Sequence, residues 1–176
     1  MQIAVNVVGL IAVTKALLPM LGAGPEAARR SSPGRIINIS STGGRIATPF
    51  IAGYNATKYA VEGFSHALRR ELSPVIVAPG AVQSRIWQKA SASAQCANIG
   101  SVYRQPYRRF EELSRAIEAG GYTSDEAGRF LVRVFEARSP RTRYAAVRGR
   151  LVNWTIPSLL PDRWLDMVMR RTLALS

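Results

Sequence analysis

Thiols are almost absent from this chain: Cys96 is the one cysteine among 176 residues. No disulfide can form within the chain, and a reducing compartment suits it. Histidine is equally scarce. His66 stands alone, and no GxSxG turn accompanies it, so a Ser-His-Asp nucleophile has no support here. Lysine is rare too: Lys15, Lys58 and Lys89 are the only three, and arginine supplies the other 21 of 24 cationic residues. Internal repeats and long low-complexity tracts are missing, which excludes solenoid and array architectures.

Acidic residues are few, 11 against 24 cations, leaving a formal charge of +13. The excess is spread along the chain, with +7 over residues 1–98 and +6 over residues 99–176. A nucleic-acid module gathers its cations on one element and interleaves aromatics. Scattered arginines instead describe solvated faces, and no nucleic-acid partner is expected. With 47% hydrophobic and 20% charged residues, the chain has the composition of a globular protein and the length for one domain with a core.

What is present begins with an apolar stretch, MQIAVNVVGLIAVTKALLPMLGAG. It lacks the cationic start of a secretory signal. Gln2, Asn6 and Lys15 interrupt it, so no membrane span is expected, and a cytoplasmic location is. Ile3, Val7, Leu10, Thr14, Leu17 and Leu21 recur at helical spacing. Most other positions are apolar as well, which predicts a helix buried on more than one side.

RIINIS, residues 35–40, is a β-branched run of the kind that forms a buried parallel strand. A Gly/Ser/Thr/Pro loop leads to a second helix near Tyr54–Leu72, with Thr57, Val61, Phe64, Leu68 and Leu72 on one stripe. Small residues Ala56, Ala60, Gly63 and Ala67 form another stripe, suited to close helix packing. VIVAPG predicts a second buried strand, only four residues from Val75 to Ala78 before its Pro-Gly turn. Helix, strand, helix, strand in this pattern means an α/β fold with parallel crossovers.

Within it, YNATK sets Tyr54 and Lys58 four positions apart near a helix start, on one face. A phenol beside an ammonium and a helix N-terminus is biased toward its phenolate. A tyrosine so placed can exchange a proton with a substrate oxygen. Ser41 lies just past the C-terminal end of the first strand, where ligand sites of open parallel sheets collect. Its hydroxyl is placed to hold a carbonyl or alcohol oxygen.

The stretch GRIINISSTGGRIATPFIAGYNATKYAVEGFSHALRREL, with VNVVG before it and PGAVQS after it, resembles the core of the short-chain dehydrogenase/reductase family. The resemblance covers residues 1 to about 88. The tail, with SPRTRYAAVRGR and LLPDRWLDMVM, is similar to the 17β-hydroxysteroid dehydrogenase-like branch. It implies Tyr54 as general acid/base, Lys58 as its activator and as a partner of the nicotinamide ribose, Ser41 as the group orienting the substrate oxygen, and Asn6 as holder of a water in a proton relay to Lys58. Pro79, Gly80 and Val82 would flank the nicotinamide, and Ser84 stands where the family usually has threonine. The implied fold is α/β, a partial Rossmann-type three-layer sandwich with a parallel sheet. The family's N-terminal nucleotide-binding βαβ units, with their glycine-rich turn, have no counterpart in this sequence.

A single truncated domain is therefore expected, with residues 1–88 as catalytic core and 89–176 as substrate lid and C-terminal elements. The expected cofactor is NAD or NADP, the choice being unreadable without the first βαβ unit. The expected substrate is a small lipophilic alcohol or ketone, and helices 1–21 and 54–72 are candidate surfaces for a homo-oligomer. Trp87, Tyr103, Tyr107 and Phe110 are candidates to line its pocket, beside the plain alternative that they pack a lid onto the body. Residues 110 onward turn helical, Ser124 opens a capping box before a further helix, and RYAAV is a candidate edge strand. The alternatives to an oxidoreductase are a non-catalytic remnant or interaction module of the same fold and, behind it, a basic binder of nucleic acid or anionic surfaces.

Overall fold

A computed structural model describes residues 1–21, 34–72, 74–84 and 101–175. The stop at GAGP, together with Trp87 and Cys96, lies outside the described residues. The chain divides into two units, Met1–Pro79 with Phe130–Ala146, and Gly80–Arg129 with Val147–Ser176.

The first unit is built on three parallel strands, β1 (Ile37–Ile39), β2 (Val75–Pro79) and β3 (Arg143–Ala146), in the order β1-β2-β3. These are the three runs expected from the sequence. Central β2 is buried throughout from Val75 to Ala78, as an unbroken apolar run must be in a parallel sheet. Each of its larger side chains contributes about 1.5–3 kcal/mol by leaving water. Between helix and β2 the chain is short, yet neither element is cut back. Helix α2 (Ala52–Leu72) runs to its full length, and β2 starts at Val75 directly after the buried Pro74.

Register places Asn38, Ile76 and Arg143 side by side across the sheet. Neighbours in register share a face. Asn38 Nδ2 donates to Ser65 Oγ on α2 at 2.8 Å, and Arg143 pairs with Glu62 on the same helix. Tyr144, one residue on, points to the opposite face. There its ring meets Phe130 edge-on at 6.2 Å. Phe130 belongs to a helix introduced below, so helices cover both faces, and the expected three-layer sandwich is present in part.

Helix α1 (Ala4–Leu21) departs from expectation. It opens with a π-helical turn, Ala4–Gly9, and closes with a 3₁₀ turn, Leu18–Leu21. Among the described residues it packs on α2 along one side. Thr14 is its one buried residue, while Ile3, Val5, Val8, Ile11, Val13, Leu17 and Met20 are exposed. The expectation of burial on more than one side is thus corrected: apolar composition told of a demand for cover, and within the described residues most of that cover is not supplied. By length and composition alone this helix is also long and apolar enough to cross a membrane, with mean hydropathy 1.9. Interruption by Gln2, Asn6 and Lys15 therefore does not exclude a span. On α2 the stripe Thr57-Val61-Leu68 is buried as expected. The small-residue stripe is not packed: Ala56, Gly63 and Ala67 are exposed.

In the second unit α3 (Ser101–Ala119) starts a full two turns before Phe110. Helix α4 (Ser124–Glu136) follows, and from Phe130 onward its residues belong to the first unit. Its capping box is centred one residue earlier than expected. The Thr123 N–H donates to Glu126 Oε2 at 2.8 Å and the Glu126 N–H to Thr123 Oγ1 at 3.2 Å, so Thr123, not Ser124, is the cap. Thr123→Ala is expected to cost about 1 kcal/mol in denaturant titrations, and Ser124→Ala much less. Helix α5 (π-helical Leu151–Thr155 continued by Ile156–Leu159) and helix α6 (Asp162–Leu173) complete the unit, with α6 packed against α3.

Candidate active site

Strand β1 delivers Ser41 to the end of the sheet. The Ser40 N–H still pairs with Val77 O at 2.8 Å, extending the ladder by one residue. Ser41 then caps a 3₁₀ turn, Thr42–Gly44, accepting the Gly43 N–H on its hydroxyl at 3.1 Å. Two glycines let this turn lie flat on α2. A Cβ at Gly43 would stand 2.8 Å from Asn55 Oδ1, 3.3 Å from Tyr54 Cε1 and 3.6 Å from Ser41 Oγ. One at Gly44 would stand 2.6 Å from Ser40 Oγ and 3.0 Å from the Lys58 carbonyl. Ser41 and Tyr54, thirteen positions apart in sequence, therefore flank a single point beside Gly43.

Helix α2 holds the segment between them at two places. Asn55 Nδ2 donates to Thr48 O at 2.7 Å, and the Tyr59 hydroxyl to Arg45 O at 2.6 Å. Phe50, two residues before the helix, has φ +69°. A bulky side chain in the left-handed region is a strained conformation that its surroundings must enforce. One turn along α2 from Tyr54, the Lys58 ammonium lies 5.8 Å from the centroid of the Tyr54 ring. It donates to Ile39 O at the end of β1, at 3.1 Å. Partial burial lowers the pKa of this ammonium from its ordinary 10.5.

Asn6 sits in the π-helical turn of α1, the kind of local irregularity that gathers at functional sites. Its Nδ2 donates to Thr57 Oγ1 at 3.1 Å, and Thr57 Oγ1 donates in turn to Tyr54 O at 2.8 Å. The amide is thus tied to the backbone of the Tyr54 turn through Thr57. Pro79 closes β2 in the same unit. Gly80, Val82 and Ser84 fall in the second unit. There Val82 bridges Tyr122, and the Ser84 N–H donates to Glu118 Oε1 at 3.3 Å. The structure thus groups Ser41, Tyr54 and Lys58, with Asn6 two hydrogen bonds from the Tyr54 backbone through Thr57.

Asn55, Thr57, Gly43 and Gly44 were not legible as site residues. Asn55 is buried, with Oδ1 unpartnered beside the turn. The one available signal was the TGG directly after the strand, which demands a close approach of backbone to something. Gly43→Ala is expected to force the turn away from α2, because the new Cβ would stand 2.8 Å from Asn55 Oδ1 and the Asn55 side chain is held by Thr48 O. Thermal unfolding and activity should both fall, whereas Gly63→Ala, with open space around its Cβ, should be neutral or slightly stabilising.

Residues 1–95 match the sequence model of the family described as short chain dehydrogenase. An NADPH-dependent 3-dehydrocapnine reductase from Ornithobacterium rhinotracheale is 32% identical, over 98% of this chain and 61% of its own length. A 17-beta-hydroxysteroid dehydrogenase type 6 from Homo sapiens is 31% identical, over 97% of this chain and 56% of its own. Among solved structures, a short chain dehydrogenase/reductase from Burkholderia phymatum in complex with NAD superposes with TM-score 0.62 at 19% identity, covering 92% of this chain and 56% of that one. That likeness concerns the fold. The chain spans 61% and 56% of the length of these two curated relatives.

Proposed function

The chain belongs to the short-chain dehydrogenase/reductase family, and we propose that it carries the proton-transfer half of an oxidoreductase that interconverts an alcohol and a ketone on a lipophilic small molecule. The carrying observation is the meeting of Ser41 Oγ and the Tyr54 ring around Gly43, with Lys58 one helical turn away.

In this reading the Ser41 hydroxyl donates to the substrate oxygen and holds it toward the phenol. Tyr54 gives its phenolic proton to that oxygen in reduction, or takes it in oxidation. The Lys58 charge favours the phenolate during the transfer. Asn6, through Thr57, fixes the first turn of α2, and we assign to it the water-mediated end of a relay toward Lys58.

NAD or NADP, when bound, supplies or accepts the hydride. The residues present fit the nicotinamide-ribose end of such a cofactor. An ammonium has three donors and Ile39 O takes one of Lys58's, leaving two for ribose hydroxyls. Pro79 ends β2 where ligands of parallel sheets bind, and we assign Gly80, Val82 and Ser84 to the nicotinamide side as well. A glycine-rich turn for the pyrophosphate is not among these 176 residues.

The test is calorimetric titration of the 176-residue chain with NAD and with NADP, followed by steady-state rates on a panel of apolar secondary alcohols and ketones. The same is done for a form extended at its N-terminus by the first βαβ units of a relative. The extended form is expected to bind cofactor and turn over, and the 176-residue chain to bind weakly, because pyrophosphate contacts supply much of the positioning. An extended form that binds cofactor yet oxidises or reduces nothing on the panel would favour the non-catalytic alternative.

A further inference from the structure

Helix α6 has two faces of different character. Leu165, Met169 and Leu173, at i, i+4 and i+8, turn toward the body, with Leu173 buried, and α6 packs on α3. The two acidic residues, Asp162 and Asp166, follow the same arc by spacing. The opposite arc carries Trp164, Met167, Val168 and Arg171, at i, i+3, i+4 and i+7, with Arg163 and Arg170 together along one edge, next to the exposed Asp166. Trp164, Met167 and Val168 keep 62%, 46% and 53% of their surface in solvent. The outward arc therefore holds an aromatic, two aliphatic side chains and arginines, with no acid. Helix α5, next before it, repeats the theme: Trp154 is buried while Leu151, Val152, Ile156 and Leu159 are exposed, after the exposed Arg150.

We propose that the outward arc of α6 is a docking surface for an anionic phospholipid bilayer, with the helix lying in the plane of the interface. Charge complementarity decides the occupant. A helix with tryptophan and aliphatic side chains around Arg171 on one face, and Arg163 and Arg170 along one edge, matches the boundary between acyl chains and anionic headgroups. A second copy of this chain fits worse, because like faces would set Arg163, Arg170 and Arg171 against their own equivalents. Nucleic acid fits worse still, since the arc is led by apolar groups and not by cations. Arginine also stretches its own apolar stem along such a surface while its guanidinium reaches phosphate.

The experiment is co-sedimentation of the protein with vesicles of phosphatidylcholine alone and with vesicles about one third phosphatidylglycerol, over a range of salt. Pelleting is expected with the anionic vesicles, weakening as salt rises, and to be at least about tenfold weaker without the anionic lipid. Trp164→Ser/Met167→Ser/Val168→Ser should abolish it. Arg170→Glu/Arg171→Glu, which leaves the apolar arc in place, should weaken it by about tenfold or more. All replaced residues are exposed, and circular dichroism checks that both variants remain folded. A Trp164→Phe variant should lose the fluorescence quenching that bromine-labelled lipids impose. The proposal is overturned by an absence of pelleting, by equal pelleting on neutral vesicles, or by pelleting that both variants keep, which would place the contact elsewhere, for instance on the exposed apolar side of α1. It is overturned equally if vesicles are ignored while gel filtration shows a dimer that the triple variant converts to monomer.

Discussion

Replacing Tyr54 with phenylalanine is expected to lower turnover by about 10²–10⁴-fold, the loss that follows removal of a positioned general acid/base, while affinity for NAD or NADP stays nearly unchanged. The ring itself packs beside Gly43 and keeps its place in the variant, since the Cε1 contact survives loss of the hydroxyl. The effect should therefore appear in kcat and not in folding. Ser41→Ala should be milder in chemistry but less clean, because the same hydroxyl accepts the Gly43 N–H and caps the turn. Lys58→Met should combine a lower kcat with weaker cofactor binding, since the ammonium is assigned to both. Rates are measured with saturating cofactor in the form of the protein that turns over, with binding measured separately. A Tyr54→Phe protein that retains most of its kcat would remove Tyr54 from the chemistry and with it the reading of the site.

The largest effect on stability is expected at Glu62 and Arg143. Glu62 lies in α2 with its side chain 7% exposed, and Arg143 in β3 with its side chain 19% exposed. The guanidinium grips both carboxylate oxygens, one of them at 2.8 Å. Removing one partner strands a nearly buried charge, so Glu62→Leu or Arg143→Met alone should cost about 3 kcal/mol. The double variant should cost much less than the two singles together, because no charge is then left unpaired. Denaturant unfolding of the four proteins gives the cycle, and additive losses would show that the pair does not act as a unit. His66 joins this cluster, 3.0 Å from Arg143 through Nε2. Burial, and then the Arg143 charge, hold its pKa below the ordinary 6.5. The unfolded chain therefore takes up a proton near 6.5 that the folded one still refuses. Stability should fall as pH drops from about 6.5 through the folded pKa, and level off below it. His66→Gln should flatten that slope in a melting series against pH.

Much of this fold could be read directly. RIINIS and VIVAPG are β-branched runs bounded by turn residues, and they became β1 and β2. The stripe from Thr57 to Leu72 became the inner face of α2. Tyr54 and Lys58 are brought together by helical spacing alone, and Ser41 is placed by the end of a strand that the pattern already located. All of these rest on short-range periodicity, which is a property of the chain itself.

What could not be read has one physical cause in common. Periodicity tells which residues share a face, but not what that face will meet. Glu62 and Arg143 are 81 positions apart, and only the side-by-side packing of α2 on the sheet makes them a pair. Thr57 looked like an extension of an apolar stripe, and its hydroxyl became the link from Asn6 to the Tyr54 turn once α1 lay against α2. Asn55 has no role that spacing in YNATK could assign, yet it anchors the loop before the helix through Thr48 O. Helix α1 shows the same limit from the other side: its sequence alone determined that it is helical and apolar, while packing decided that, among the described residues, the side facing α2 is the one covered, because burial is a property of neighbours and not of the residue that seeks them.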